Sequence, residues 1–349
     1  PCQFAAGQKC MLRLDFGKAI QEKERAFAHI PRTSPTLTEL LCQIIMKLSD
    51  LGRALAQFLG DRKREDTMPN IQDYVLWRGD LPLDRVPLCD VDALLLSYLS
   101  YMPYDNIVGD AFDGGISLRD AAQKLLEVNE RDKTPLAYNV REDRKLLATL
   151  MESARFGDIR LVGYINRVDT KLEEQFSAVT YLLGEGHAFV AFRGTDNTVV
   201  GWKEDFNMSF ETEVPAQRDA VAYAQRVAAA IDLPLIVGGH SKGGNLAAYA
   251  GMFVDEATRA RIQTVYNFDG PGFNEATISS EAFGKVDMRI RTFVPQSSMI
   301  GILMWHREPF TIVRSNGVGV FQHDAYTWQI LGGGFMTLTE RTGHSPFAD

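Results

Sequence analysis

The second half of the chain alternates short apolar runs with amphipathic stretches. A helix is predicted over Gln217–Ile231, and the apolar run Leu235–Val237 after it is typical of a strand. Further runs rich in β-branched and aromatic residues predict strands near Arg160–Val168, Phe176–Leu183, His187–Phe192, Thr264–Phe268, Met288–Val294, Phe310–Val313 and Gly317–Phe321, the first two forming a hairpin. Because strand and helix alternate, we expect a mostly parallel central sheet with helices on both faces.

Helical patterns dominate the part of the chain between this sheet and Met68. Charged and apolar positions recur at helical spacing over Asp92–Tyr101, Leu118–Asn129 and Arg141–Ala154. The sequence therefore predicts one domain over residues 68–349, with a helical cap around 114–154 as an open alternative.

Residues 1–67 have a different sequence pattern from the rest of the chain. This pattern predicts an N-terminal helical extension with a linker. Ser34 and Pro35 form a helix start, and Asp61–Asp66 is a run of charged residues that ends the segment. Between them apolar residues recur at alternating gaps of four and three, as in a packing seam: Leu37, Leu41, Ile44, Leu48, Leu51, Leu55 and Phe58. The seam indicates a helix that packs on another helix, and self-association through residues 34–60 or binding to a lipid surface are the alternatives.

Composition and charge limit the kinds of partner that the chain is expected to bind. The chain has 349 residues, 45% hydrophobic and 23% charged, with a formal net charge of −8. This acidic balance argues against a nucleic-acid partner, which requires a concentrated basic face. No apolar stretch is long enough to span a bilayer and the first thirty residues lack a secretory signal pattern, so we expect a cytoplasmic protein without a transmembrane segment. The four cysteines have the spacing of neither a zinc site nor a disulfide framework.

The segment Leu235–Ala250 carries the strongest chemical signal. An apolar strand enters it, a Gly-x-Ser-x-Gly turn with Ser241 at its centre follows, and an Ala-rich helix leaves it. This is the pattern of a nucleophile elbow, in which Gly239 and Gly243 let neighbouring backbone approach the serine. The pattern predicts Ser241 as a catalytic nucleophile, whereas His240 before it is expected to pack. The alternative is a Gly-rich connection between strand and helix without a catalytic role.

A catalytic serine requires a base and an orienting acid, which follow it in chain order in this kind of site. His323 is the predicted base because it follows a predicted short strand, and His306 is the runner-up ahead of His344. Asp269 is the predicted acid, since it leaves the strand after the elbow helix and precedes a Gly-Pro-Gly turn. An aspartate that hydrogen-bonds its own turn is the alternative interpretation. Asp324, next to His323 in sequence, is a poor orienter because neighbouring side chains diverge.

The predicted oxyanion hole combines donors from two residues. One is the backbone N–H of Lys242 at the start of the elbow helix, and the other is Thr195, whose N–H and hydroxyl are both donors, in the loop Ala191–Asp196. A polar turn with a capping threonine is the alternative reading of that loop.

Three motifs of the chain point to a known group of enzymes. They are Phe-Arg-Gly-Thr at 192–195, Trp-Lys-Glu-Asp at 202–205 and Gly-His-Ser-Lys-Gly-Gly at 239–244. Together they resemble the class 3 lipases of the α/β-hydrolase fold and the bacterial Mbeg1-like family, whose elbow has the form Gly-His-Ser-Lys-Gly-Gly-Asn-Leu-Ala. Met68–Val108 and Ser315–Trp328 are also similar to that family, so the resemblance covers residues 68–349.

The resemblance implies an α/β-hydrolase with a Ser/Asp/His triad, with Ser241 and Thr195 carried over directly. One departure concerns the acid. Class 3 lipases place it after the strand that ends here near Ser298, where this chain has serines. The position of Asp269 is instead similar to the acid position of pancreatic-type lipases.

The sequence therefore predicts a serine hydrolase that cleaves carboxylic esters of lipids or small molecules through an acyl-enzyme. Ser241 is the nucleophile, His323 the base and Asp269 the acid, with Thr195 and Lys242 at the oxyanion. No metal or organic cofactor is expected. The alternatives are a thioesterase or peptidase with the same triad, and a non-catalytic binding module of the same fold.

Overall fold

A computed structural model describes residues 68–133, 136–137, 139–169, 174–184, 186–195 and 213–338. The predicted extension over residues 1–67, with its 34–60 helix, lies outside these residues, as do Trp202–Asp205 and His344. The predicted division between residues 1–67 and 68–349 remains a prediction.

Within the described residues, an eight-stranded sheet follows the order of the chain. The first four strands are antiparallel to one another, and the fourth to the eighth run parallel. Their bounds are β1 Ile116–Ser117, β2 Arg160–Asp169, β3 Glu174–Leu182, β4 Ala188–Phe192, β5 Leu235–His240, β6 Ile262–Phe268, β7 Ile290–Pro295 and β8 Phe310–Val313. A small second sheet pairs β9 Ile330–Leu331 with β10 Gly334–Phe335.

Helices cover both faces of the large sheet. Four precede its long strands, namely α1 Ile71–Arg78, α2 Asp90–Leu99, α3 Leu118–Asp132 and α4 Val140–Glu152. Five follow β4, namely α5 Pro215–Ala230, α6 Lys242–Phe253, α7 Glu256–Arg261, α8 Glu275–Ile278 and α9 Glu281–Gly284, with 3₁₀ turns at Asp287–Arg289, Gly319–His323 and Ala325–Thr327. A mostly parallel sheet between two helical layers confirms the predicted α/β-hydrolase fold.

The two faces of the sheet form two separate cores, because neighbouring residues of a strand point to opposite sides. Leu161 packs in the core that α1 to α4 cover, whereas Val162 packs in the core under α5 and α6. The helices of the predicted 114–154 cap bury Ala121 and Leu147 in the first of these cores. The cap itself remains a prediction.

A buried ion pair fixes α2 beneath the sheet. The guanidinium of Arg155 donates to the Asp92 carboxylate at 2.9 and 2.5 Å, and both side chains are fully buried. Tyr74 on α1 donates its hydroxyl to the same carboxylate at 2.7 Å. Because a buried carboxylate is stable only when its oxygens are satisfied, these contacts hold α1, α2 and the residues after α4 together.

The strand predicted over Gly317–Phe321 is wrong. These residues lead into a 3₁₀ turn over Gly319–His323, with Gly319 at φ +59°. The apolar alternation there has no core to face, since Val318 is 77% and Val320 is 39% exposed. Trp328 donates its indole N–H to the Gln322 carbonyl at 2.9 Å and so stabilises the turn. An alternating pattern without a ladder partner does not make a strand.

Candidate active site

Ser241 lies between β5 and α6, as the elbow pattern predicts. Its backbone has φ +59° and ψ −136°, a region that residues with a side chain rarely adopt. A methyl group at Gly243 would lie 2.1 Å from the Phe192 carbonyl oxygen, and one at Gly239 would lie 2.2 Å from the Gly243 carbonyl carbon. The turn therefore requires both glycines, because only glycine permits such close backbone approach.

The register of the parallel strands brings Asp269 to the same sheet edge as Ser241. His240 pairs with Phe268 across β5 and β6, so the next residue of each strand leaves the sheet at the same level. Ser241 donates its N–H to the Phe268 carbonyl at 2.9 Å, and Asp269 donates its N–H to the Phe293 carbonyl at 2.8 Å. Asp269 has φ +53° and is fully buried.

The carboxylate of Asp269 contacts His323. Its Oδ2 lies 2.7 Å from Nδ1 of His323, whose side chain is 26% exposed while that of Asp269 is buried. A carboxylate accepts hydrogen bonds, so this contact places a proton on Nδ1 and leaves Nε2 with its lone pair in the neutral ring. The structure thus brings together the predicted base and the predicted acid.

The second oxygen of the same carboxylate has its own donors, which the sequence did not predict. Ser298 donates its hydroxyl to Oδ1 of Asp269 at 2.5 Å, and Gly301 donates its N–H at 3.1 Å. Both lie in the loop after β7, where the sequence shows serines and no acid. In the sequence, the only indication of these donors was that this chain has serines near Ser298, where class 3 lipases place their acid.

The loop that carries His323 is tied to its neighbours. Gln322 accepts from the Ser297 N–H through its side chain at 2.7 Å and donates to the Gly317 carbonyl at 3.0 Å. His240, which was expected to pack, is buried, and its ring centroid lies 4.4 Å from that of His323. These contacts fix the position of the imidazole relative to β5.

The other histidine candidates have other surroundings. Nδ1 of His306 lies 2.9 Å from Oε1 of Glu308, and the His306 side chain is only 8% exposed. Glu308 also accepts from the Thr292 hydroxyl at 2.8 Å. Asp324 accepts from the Tyr326 N–H at 2.9 Å and so begins the following 3₁₀ turn. Burial raises the pKa of Asp324 above its ordinary value.

The loop after β4 lies directly against the elbow, because Phe192 pairs with Gly239 in the parallel register. A methyl group at Gly194 would lie 2.6 Å from the His240 carbonyl oxygen and 3.0 Å from Cβ of Ser241. Thr195 follows this close approach and is buried. Lys242, on the other side of the serine, sends its side chain to the Gln175 carbonyl at 2.9 Å, so its ammonium is engaged away from the turn.

Asn245, on the first turn of α6, was not predicted. It donates to the carbonyls of Pro271 at 3.2 Å and Gly272 at 2.8 Å, in the turn that follows Asp269. Gln217 donates to its side-chain oxygen at 2.9 Å. The helix after the serine and the turn after the acid are therefore bonded to each other.

Within the described part of the chain, no group of three or more His, Cys, Asp or Glu side chains has a geometry that could hold a metal ion. In the same residues, no helix is long and apolar enough to cross a membrane.

Comparison with known families gives a match over much of the domain. The sequence model of the Mbeg1-like family matches residues 150–348, which is more than half of the chain. The chain belongs to the Mbeg1-like family. None of the curated proteins compared with this Mbeg1-like chain matches it.

Several solved lipase structures are similar to the Mbeg1-like chain at low identity. One is a triacylglycerol lipase whose catalytic centre is a serine protease triad; it is 13% identical, with 63% of this chain and 77% of that one covered and a TM-score of 0.39. The lipase of Rhizopus microsporus var. chinensis is 15% identical, with 79% and 90% covered and a TM-score of 0.36. Lipase II of Rhizopus niveus is 12% identical, with 51% and 72% covered and a TM-score of 0.35. Similarity of this degree leaves the chemistry to be argued from the chain's own residues.

Proposed function

We propose that this chain is a serine hydrolase that cleaves carboxylic esters through an acyl-enzyme. The observation that carries the proposal is the 2.7 Å contact between the Asp269 carboxylate and Nδ1 of His323, at the sheet edge where Ser241 leaves β5. Because Asp269 holds the proton on Nδ1, the unprotonated Nε2 is the atom available to act as a base.

In the first half of the reaction, Nε2 of His323 takes the proton of the Ser241 hydroxyl as Oγ attacks the ester carbonyl carbon. The carbonyl oxygen becomes an oxyanion, which accepts hydrogen bonds from the backbone N–H groups of Thr195 and Lys242. The tetrahedral intermediate then expels the alkoxide, and the imidazolium of His323 protonates it. An acyl-Ser241 and a free alcohol result.

The second half of the reaction repeats these steps with water. Nε2 of His323 takes a proton from water as its oxygen attacks the acyl carbon, and the imidazolium then returns a proton to Oγ of Ser241. The carboxylic acid leaves and the resting enzyme is restored. The Asp269 carboxylate stabilises the imidazolium that forms twice in each cycle.

The side chains around this edge favour an apolar acyl group. The loops after β7 and β8, which carry Ser298 and His323, hold five apolar residues that are 37–77% exposed: Met299, Leu303, Trp305, Val318 and Val320. Residues 295–305 contain no charged side chain. Exposed apolar groups beside a catalytic centre are typical of sites that accept apolar ligands.

Steady-state hydrolysis of p-nitrophenyl butyrate tests the proposal. Ser241→Ala and His323→Ala should each lower kcat by about a million-fold, and the double variant should be no worse than either, because the members of a triad act as a unit. Circular dichroism should show that the variants are folded. A folded wild-type protein without turnover, or a Ser241→Ala variant with unchanged turnover, would instead favour a non-catalytic binding module.

A further inference from the structure

We infer that His240 is a positioning residue that holds the His323 imidazole in place relative to Ser241. This inference rests on the proposed function, since it assigns a role within the same site. It is carried by contacts that reach both the backbone and the ring of His323 from the residue directly before the nucleophile.

The first contact is a hydrogen bond to the main chain of the base. Nε2 of His240 lies 2.7 Å from the carbonyl oxygen of His323. A carbonyl oxygen only accepts, so Nε2 of His240 must carry the proton and donate. The bond fixes the backbone at His323, which ends a 3₁₀ turn and lies in no strand.

The second contact joins His240 to Tyr101 and is compatible with a proton on Nε2. The hydroxyl of Tyr101 lies 3.2 Å from Nδ1 of His240 and 3.1 Å from its carbonyl oxygen. The hydroxyl has one proton, and with the ring proton on Nε2 both the carbonyl oxygen and Nδ1 of His240 are acceptors, so the two share it. His240 is 3% exposed, and burial together with the neighbouring His323 holds its pKa well below its usual range. The ring therefore stays neutral, in the form that the bond to His323 requires.

The third contact is between the two rings. Their centroids lie 4.4 Å apart with an interplanar angle of 35°. The side chain of His240 thus supports the His323 imidazole from one side while Asp269 holds Nδ1 at 2.7 Å. Because the backbone of His240 continues into Ser241, one residue sets the relation between nucleophile and base.

The rate of catalysis depends on the exact position of the His323 imidazole relative to Ser241. A misplacement of about 1 Å in a catalytic group costs on the order of 100-fold in rate. A histidine that merely fills the core would, when replaced, lower stability without a specific loss of kcat. The two roles therefore predict different results.

The test compares three variants of the full chain with p-nitrophenyl butyrate as substrate. His240→Phe keeps a planar ring but loses the donor, and should lower kcat about 100-fold while KM changes less than about threefold. His240→Gln retains an N–H donor at a similar reach to Nε2 and should recover kcat to within about tenfold of the wild type. Tyr101→Phe removes the hydroxyl that faces Nδ1 and should fall between the two.

A spectroscopic readout accompanies the kinetics. In the wild-type protein with ¹⁵N-labelled histidine, NMR should show His240 protonated at Nε2 only and His323 protonated at Nδ1 only. Opposite tautomers on two adjoining rings are specific to this arrangement. A His240 protonated at Nδ1 would overturn the inference, as would a His240→Gln variant whose kcat is no higher than that of His240→Phe.

The outcomes also separate this inference from the proposed function. If the wild type hydrolyses the ester in a Ser241-dependent way and His240→Phe keeps full kcat, the positioning role fails and the function stands. If the folded wild type is inert, or Ser241→Ala is equally active, both fail.

Discussion

Asp269 and His323 meet through a 2.7 Å contact although 54 positions separate them in the chain. Asp269 directly follows β6, and His323 ends a 3₁₀ turn beyond β8. Both residues reach the carboxyl-terminal edge of the parallel strands, where loops from different strands converge on one site. Because of this contact, the tautomer of His323 depends on the carboxylate of Asp269.

Asp269→Asn should lower kcat by about 10³-fold to 10⁴-fold at neutral pH, because an amide neither fixes the tautomer of His323 nor stabilises its imidazolium. Asp324→Asn is the matched control, since Asp324 bonds to the Tyr326 N–H at 2.9 Å and begins a turn. Steady-state kinetics on both variants checks the assignment. Equal effects of the two substitutions would contradict it.

Ser298→Ala should lower both stability and rate. It removes the hydroxyl that donates to Oδ1 of Asp269 at 2.5 Å, and loss of a donor to a buried charged group costs about 1–3 kcal/mol. We expect that loss in urea denaturation and roughly a tenfold lower kcat. Ser297→Ala is the control, because Ser297 contacts Gln322 through its backbone N–H, which alanine retains. Ser298→Thr keeps a hydroxyl and should lie nearer to the wild type, so an effect of Ser298→Thr as large as that of Ser298→Ala would contradict the role of this bond.

Gly243→Ala should destabilise the protein. The added methyl group would lie 2.1 Å from the Phe192 carbonyl oxygen, a contact that the backbone must move to relieve. Overpacking of this kind costs about 1–3 kcal/mol. Gly284→Ala is the matched control, since it lies at the end of α9 and a methyl group there has no neighbour within 4 Å. Urea denaturation of both variants checks the prediction, and equal stability of the two would contradict it.

His240 should contribute a loss of stability as the pH falls from 7 to 5. Burial first, and His323 second, hold the pKa of His240 well below its ordinary value of 6.5. Below pH 6.5 the unfolded chain therefore binds a proton that the folded chain does not, which lowers the free energy of unfolding.

The measurement for His240 is the difference in unfolding free energy between the wild type and His240→Gln at pH 7 and pH 5. The difference should shrink as the pH falls, because the variant lacks the group. Both proteins retain Asp143, whose pKa burial raises to about 6, so its opposite contribution cancels in the comparison. A difference that is constant with pH would show that His240 titrates normally.

Local pattern was sufficient for the fold and for the elbow. The apolar run before Ser241 and the Ala-rich stretch after it correspond to β5 and α6. The alternation of such units predicted a mostly parallel sheet, which the structure confirms. Chain order then selected His323 and Asp269, whose contact in the structure agrees with that choice. Their catalytic roles stay predictions until the variants are measured.

The rest of the site depends on contacts between distant residues. Ser298 reaches Asp269 across 29 positions and His240 reaches His323 across 83, so neither relation leaves a local pattern. The strand predicted over Gly317–Phe321 failed for a related reason: alternation describes a strand only when another strand and a core accept its two faces. The sequence could therefore predict the candidate residues of the site, but not the contacts that hold them in place.

The proposed hydrolase activity depends above all on a reactive Ser241. The most direct measurement is the reaction of the purified full chain with a fluorophosphonate, followed by peptide mass spectrometry and compared with Ser241→Ala. A serine activated by His323 should form one covalent adduct, on the peptide that contains Ser241, and the variant should form none. A folded wild-type protein without an adduct, or an adduct that persists on another residue in Ser241→Ala, would contradict the account.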